Sequence, residues 1–330
     1  MAQSLFKAIK QLNDEVAIDV LASDWSLPLL ERMPEVRQTK RLPIAHGALQ
    51  LKLRFKIAHG LRSQGYDQAI ILPNSWKSAL IPWWAKIPKR TGWCGEMRWG
   101  LLNDLRLLDK KTVPLMVDRF VSLAYPKEMQ INSDRYKRMS PSLKIQEKNI
   151  TLTLKKFGLS DKMKNRILAL CPGAEFGASK RWPEEYYAEL AKTKLREGWS
   201  VWLFGSKNDQ MVSHKIQALT GDACIDLTGK TNLGEAIDLL SVTTTVVSND
   251  SGLMHVASAL DKPIIAIFGS TDPKFTPPLH QKVKISRLSS LACSPCFKRT
   301  CPLHHHACMR RLSPTIILQD FQCLEKQWIL

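Results

Sequence analysis

The sequence predicts an α/β protein of two similar halves, each built from parallel strands with helices between them. Three observations carry this. Short β-branched runs stop in polar, Gly-containing loops and are followed by helical stretches, as at Val246-Val247-Ser248-Asn249-Asp250-Ser251-Gly252. The same strand-loop-helix corner recurs along the second half, and a strand followed by Pro73-Asn74-Ser75 and a helix echoes it in the first. The runs are short and bounded by polar residues, as expected of buried parallel strands.

In chain order, residues 16–21 and 68–72 read as buried parallel strands of the first half. The seam falls in a basic, Ser/Pro-interrupted stretch between about Tyr125 and Lys164, where Ser140-Pro141-Ser142 is a natural breaker, and it divides the chain into residues 1–150 and 151–330. In the second half, Ile167 to Cys171 is a strand entering the small-residue loop Pro172-Gly173-Ala174. The chain then passes through Ser179-Lys180-Arg181-Trp182 into a helix whose Pro183 suits a first turn. Residues 201–204 deliver a third loop, Gly205-Ser206, and Pro263 to Phe268 is a further strand. Ser313-Pro314 opens a last helix in which Ile316, Ile317, Phe321, Leu324 and Trp328 recur at helical spacing, which predicts core packing.

Composition narrows the function classes. At 330 residues, 44% apolar and 24% charged, the chain is that of an ordered globular protein long enough for two domains. No window reaches the roughly eighteen apolar residues of a membrane span and no secretion signal opens the chain, which predicts a cytoplasmic protein. A formal charge of +18 calls for an acidic partner. Stacking-aromatic and Cys/His finger patterns are missing, which sets nucleic acid aside. Anionic membrane and phosphorylated glycolipid remain, with a basic excess of eleven to four over residues 126–166 as one candidate contact. Cys293, Cys296, Cys301 and Cys308 follow a C-x2-C-x4-C-x6-C spacing with three histidines between the last two. Such a spacing suits a thiolate metal site, but the expectation is no metal and a plain thiol-bearing loop. Gly229-Lys230-Thr231 is no phosphate loop, because the required Gly five residues before the Gly-Lys pair is Cys224.

The corner at residues 246–255 presents a helix N-terminus to an anion, and three strands delivering polar loops to one sheet edge predict a shared nucleotide or nucleotide-sugar site. Here the chain resembles glycosyltransferase family nine. The resemblance rests on Pro172-Gly173-Ala174 with Lys180-Arg181-Trp182-Pro183, then Phe204-Gly205-Ser206, then residues 248–255, then Phe268-Gly269-Ser270-Thr271-Asp272-Pro273. Further front, residues 30–36, 65–70, 73–79 and 90–93 extend it over nearly the whole chain. It implies a GT-B fold, two Rossmann-like domains facing a central crevice, with the last helix crossing back onto the first domain. It also implies inverting transfer of heptose from ADP-L-glycero-D-manno-heptose to the first heptose of a phosphorylated lipopolysaccharide core. The enzyme would need no cofactor and would sit peripherally at the anionic inner face of the cytoplasmic membrane. Family members begin with a strand and a loop whose Gly-Asp pair supplies the catalytic base, whereas Met1-Ala2-Gln3-Ser4-Leu5-Phe6 resembles the helix after it. The resemblance therefore implies a base lying ahead of Met1. A truncated remnant that only binds nucleotide sugar, and a sugar-nucleotide epimerase of the same architecture, stand as rival readings.

Without a metal, the protein itself must offset the charge of a leaving diphosphate. Lys180 and the N–H groups of Ser251, Gly252 and Leu253 are the candidates, with Lys180 catalytic. Asp250 reads either as a helix cap or as a ligand for a sugar hydroxyl, His255 as a donor contact one turn into the helix, and Gly252 as the place where a Cβ would hold the backbone off the ligand. By the resemblance, Asp209 falls where relatives place an acid on the donor ribose. In the first half, Lys77, Arg90 and Arg98 are candidate hands for acceptor phosphate or carboxylate groups, with Asn74 and Ser78 as hydrogen-bonding partners. Trp76, Trp83, Trp84, Trp93 and Trp99 lie among them, most of them expected in the core.

Overall fold

The computed structural model describes residues 1–45, 47–127, 129, 138–164 and 166–328. Part of the basic excess at residues 126–166 thus lies outside the described residues. The chain divides into one unit of Met1–Glu31 with Glu35–Met139 and a second of Arg32–Pro34 with Ser140–Leu330.

The first unit carries its strands in two separate parallel ladders. In one, β1 (Ile18–Ala22) pairs with β2 (Val36–Arg41). In the other, β3 (Gln68–Ile71), β4 (Lys89–Trp93) and β5 (Asp104–Arg106) run in that order. Ladders this narrow leave edges, so β1 buries only Ile18 fully and β3 only Ile71, although both were expected to be buried throughout. Around them lie α1 (Ala2–Leu12), α2 (Leu27–Leu30), α3 (Leu51–Arg62), α4 (Trp76–Trp84) and α5 (Met116–Val121). Helices α3 and α4 close over a small core of Ala58, Ile81, Ala85 and Ile87. Beneath them, buried Arg54 donates to the carbonyls of Ala48, Leu49 and Lys77 and so ties the turn before α3 to α4.

The second unit is a single six-stranded parallel sheet. Its strands are β6 (Ile167–Cys171), β7 (Ser200–Leu203), β8 (Ile225–Asp226), β9 (Thr245–Asn249), β10 (Ile264–Ile267) and β11 (Val283–Ser286), in the spatial order β11-β10-β9-β6-β7-β8. The order reverses between β6 and β9. In an open parallel sheet, that reversal opens a crevice at the carboxyl ends of the two strands. Helices α6 (Glu147–Lys156), α7 (Glu184–Arg196), α8 (Gln210–Thr220), α9 (Leu233–Ser241), α10 (Gly252–Ala259), α11 (Ala307–Arg310) and α12 (Pro314–Trp328) complete the unit. Every residue of β6, β7, β9 and β10 is buried, as the uninterrupted apolar runs require. Local signals agree with the fold. Asn232 accepts from Glu235 N and the Glu235 carboxylate accepts from Asn232 N, a reciprocal cap that starts α9.

The helical spacing of α12 is realised as core packing: Ile317, Phe321 and Leu324 are buried in the core of the second unit, with α7 alongside. Phe321 meets Trp199 edge-on at 5.3 Å. The buried Lys194 ammonium lies 3.8 Å from the Phe321 ring centroid and reaches Glu197 at 2.8 Å and Glu325 at 3.4 Å. Removing that ring leaves a cavity and strips one wall from a buried cation. Phe321→Ala is expected to lower unfolding free energy by about 3–5 kcal/mol in a urea titration. A loss under about 1 kcal/mol would mean that α12 is not part of the core.

Candidate active site

The corner at the carboxyl end of β9 is assembled around Asn249. Its side chain is fully buried, and each of its polar atoms is used. Oδ1 accepts from Trp182 N (3.2 Å) and Tyr187 Oη (3.1 Å), while Nδ2 donates to the Pro172 carbonyl (2.7 Å). One side chain therefore ties the end of β9 to the loop after β6 and to the start of α7. Trp182, also fully buried, donates from Nε1 to the Leu312 carbonyl and packs edge-on against Tyr187.

This scaffold presents a cleft of about 260 Å³ lined by Glu175, Phe176, Lys180, Asp250, Ser251, Gly252, His255 and Thr276. Five sequence-predicted residues meet here: Lys180, Asp250, Ser251, Gly252 and His255. The Lys180 ammonium lies 2.5 Å from Asp250 Oδ2, and Thr271 Oγ1 donates to the same oxygen at 2.7 Å. Lys180 also stands 4.9 Å from the Phe176 ring centroid. Asp250 is thus not a helix cap; it is buried, lines the cleft and holds the lysine in place through Oδ2. Ser251 is the residue before α10, and its hydroxyl meets Ser248 Oγ instead of capping the helix. The first N–H groups of α10 have no carbonyl one turn back, so they and the positive end of the helix dipole face the cleft. Gly252 is exposed, and a Cβ there would meet nothing within 4 Å, so internal packing does not demand glycine. Leu253 sits half-buried in that first turn without lining the cleft. Burial pushes the His255 imidazole down to about 4, so it is neutral at neutral pH.

Several expected roles are corrected. The carboxylate of Asp209 is buried and accepts from the backbone N–H (2.9 Å) and hydroxyl (2.7 Å) of Ser206, closing a capping box. It sits so close to Gly173 that a Cβ there would lie 2.4 Å from Asp209 Cγ. Asp209 thus builds the β7 loop through Oδ2, while its Oδ1 lies 3.9 Å from the Arg181 guanidinium. In the first unit, Arg98 is buried and donates to the Pro73 carbonyl at 2.7 Å, to Asn74 Oδ1 and to the Trp93 carbonyl. Arg90 donates to the carbonyls of Leu101 and Ile87, both at 2.7 Å. Lys77 donates to the Gly47 carbonyl, and Ser78 to those of Ser75 and Pro73. These donors are spent on backbone oxygens left at the ends of a narrow ladder, which removes Arg98, Arg90 and Ser78 as hands for an acceptor. Asn74 is exposed, but its side-chain oxygen serves Arg98. Of the five tryptophans, Trp93 is buried and Trp84 half-buried, whereas Trp76, Trp83 and Trp99 are exposed, against the expectation of core packing for most.

The Cys-rich loop proves to be a prop for the cleft. Ser179 N donates to Arg299 O, its hydroxyl bonds Ser270 Oγ and the Lys298 carbonyl, and its carbonyl meets His306 Nε2. At Gly177, whose φ is +154, a Cβ would meet Arg299 O at 2.3 Å, so only glycine lets the two loops touch. Cys293, Cys296, Cys301 and Cys308 line one enclosed pocket behind Ser179. The Cys308 thiol is pushed up to about 11 by burial and by the neighbouring cysteines, which keeps it protonated. Among the described residues no group of three or more His, Cys, Asp or Glu side chains is placed to hold a metal ion. Phe176, Glu175, Thr271 and Thr276 were not singled out from sequence; an aromatic inside the small-residue loop after β6 was the one signal available for Phe176.

Comparison with known proteins fits this geometry. Residues 54–307 match the model of glycosyltransferase family 9 (heptosyltransferase). The chain is 47% identical over 294 residues to lipopolysaccharide heptosyltransferase 2 of Salmonella typhimurium, covering 87% of this chain and 84% of the relative. It is 41% identical over 332 residues to lipooligosaccharide heptosyltransferase 2 of Haemophilus ducreyi, covering 98% and 95%. The solved structure of the Escherichia coli ADP-heptose LPS heptosyltransferase II superposes with a TM-score of 0.89 at 40% identity, covering all of this chain and 95% of that one. The chain with this cleft thus belongs to glycosyltransferase family 9, the heptosyltransferases, and is a transferase.

Proposed function

We propose that the protein transfers heptose from ADP-L-glycero-D-manno-heptose to the first heptose of the lipopolysaccharide inner core, with inversion, at the inner face of the cytoplasmic membrane. The observation that carries this reading is Lys180 held by Asp250 beside the N-terminus of α10. An acceptor hydroxyl oxygen attacks the anomeric carbon from the face opposite the diphosphate. The carbon–oxygen bond to ADP breaks, negative charge collects on the departing β-phosphate, and the proton of the acceptor hydroxyl passes to solvent as the new glycosidic bond forms. In this reading the protein itself supplies the answering charge, from the Lys180 ammonium and the N–H groups of Ser251, Gly252 and Leu253, with no cofactor. Thr271 and Asp250 fix the lysine in advance, so little reorganisation is needed as the charge develops. Phe176 offers a flat apolar face in the same cleft for the nucleotide base. The acceptor is a phosphorylated glycolipid, and the formal charge of +18 favours its encounter.

The direct test supplies the purified chain with ADP-heptose and lipopolysaccharide ending at its first heptose, and follows ADP release and the acceptor mass. Gain of one heptose is expected. ADP binding without transfer would sink the reading in favour of a binding remnant, and epimerisation of the donor without acceptor would replace it with the epimerase.

Lys180→Ala should lower turnover by about 10²-fold, the usual loss for one such donor, while acceptor affinity changes little. Because the change leaves Asp250 buried without its cation, Lys180→Gln and a thermal unfolding curve serve as controls. Weaker donor affinity with unchanged turnover would show that Lys180 merely holds substrate.

His255 gives a pH dependence of stability. An imidazole that titrates at about 4 in the fold and about 6.5 in the unfolded chain takes up its proton first on unfolding. Stability therefore falls as pH drops through that window, and this contribution is constant above it. His255→Asn should flatten the decline in a series of denaturation midpoints; an unchanged slope would show that the folded imidazole titrates normally.

A further inference from the structure

The outer face of α3 and the end of α4 carry apolar groups that their own core does not use. The inner side of α3 is satisfied by Ile57, Ala58 and Leu61 against Ile81, Ala85 and Ile87. Its outer side leaves Leu51 at 45% and Phe55 at 50% exposure, and Trp83 of α4 stands 43% exposed. The rings form a strip: Phe55 meets Trp84 edge-on at 5.6 Å, and Trp84 lies 6.3 Å from Trp83. Lys52 and Lys56, one turn apart and both exposed, flank Leu51 and Phe55 on the same helix. Along this part of the sequence the charge is one-sided. From Val36 to Gly95 the chain has eleven Lys and Arg and a single acidic residue, Asp67.

We propose that this α3–α4 face is the surface by which the protein docks on a lipid bilayer bearing anionic headgroups, with Leu51, Phe55 and Trp83 entering the interface and Lys52 and Lys56 reaching the headgroups. It rests on the membrane-associated reading above and gives that reading an address. Aromatic rings with one wet edge fit the boundary between headgroups and acyl chains, and lysine stems lie along apolar surface while their ammonium groups stay in water. Each cation near such a surface adds to the attraction, and these cations have almost no acidic neighbours in sequence to cancel them. The same charge argues against a second copy of the chain as the occupant, since two such faces would repel each other. Nucleic acid would use the cations but would leave Leu51 and its neighbours in water.

The test is flotation of the full chain with vesicles of phosphatidylcholine alone or with phosphatidylglycerol added. Binding is expected only to the anionic vesicles and should weaken with salt. Lys52→Glu/Lys56→Glu and Phe55→Ser/Trp83→Ser should each reduce the bound fraction about tenfold. Lys192→Glu/Lys215→Glu, an equal charge change on exposed helical positions of the second unit, should reduce it less than twofold. Equal losses in all three, or none in the first two, would overturn the proposal, as would a Phe55-dependent dimer in light scattering with no vesicle binding. The lysine pair touches no packing, so it remains decisive if the aromatic variant unfolds. Heptose transfer to an acceptor in detergent micelles separates the two readings. Variants that keep that transfer and lose vesicle binding support the docking surface; a chain that binds vesicles through this face but transfers no heptose overturns only the enzymatic reading.

Discussion

The site depends on the reversal of strand order between β6 and β9 and on the one side chain that holds it shut from below. Parallel neighbours whose crossovers leave in opposite directions must splay their following loops apart, which makes room for a ligand and exposes backbone groups to satisfy. Asn249 supplies that satisfaction. Its amide oxygen takes two donors from the start of α7 and its nitrogen serves the Pro172 carbonyl. A hydrophobic residue of similar size would leave a backbone N–H, a tyrosine hydroxyl and a carbonyl buried without partners, each costing about 1–3 kcal/mol. The position of Lys180, two residues before Trp182, follows from this anchor.

Above the anchor the electrostatics are arranged in series. A lysine alone beside a helix N-terminus would face like partial charge. Asp250, held in turn by Thr271, keeps the ammonium in one place. The cleft thus presents a near-neutral ion pair until an anion competes with Asp250 for the lysine, and a diphosphate with the α10 N–H groups at its back is well placed to do so. His255, kept neutral by burial, adds no further charge to this balance.

Much of this was legible in the sequence because it depends on local pattern. The strand runs and the Gly-containing corners each state their structure within a few residues, and they put Lys180, Asp250, Ser251, Gly252 and His255 at one sheet edge. What the sequence concealed was partnership. Nothing near Asp209 says that Ser206 will take its Oδ2, and nothing near Arg98 says that Pro73, Asn74 and Trp93 will surround it. A charged side chain reads the same whether it faces solvent, ligand or a stranded carbonyl. Long-range contacts decide among these, as they do for Ser179, which meets a loop more than a hundred residues away.

The same distinction orders the positive charge of the chain. In the first unit, Arg54, Arg90, Arg98 and Arg106 turn their guanidinium groups onto backbone carbonyls, because a planar fork can bind several of them. The lysines are divided differently: Lys52 and Lys56 stay on the outer face of α3, where a flexible stem and a hydrated head suit a partner that comes and goes. Arginine therefore stabilises the fold of this unit, and lysine carries much of the charge it shows to the outside. Where exposed lysines coincide with exposed rings, as on α3 and α4, the remaining charge is concentrated beside apolar surface, the pairing that separates a membrane-facing patch from a merely solvated one.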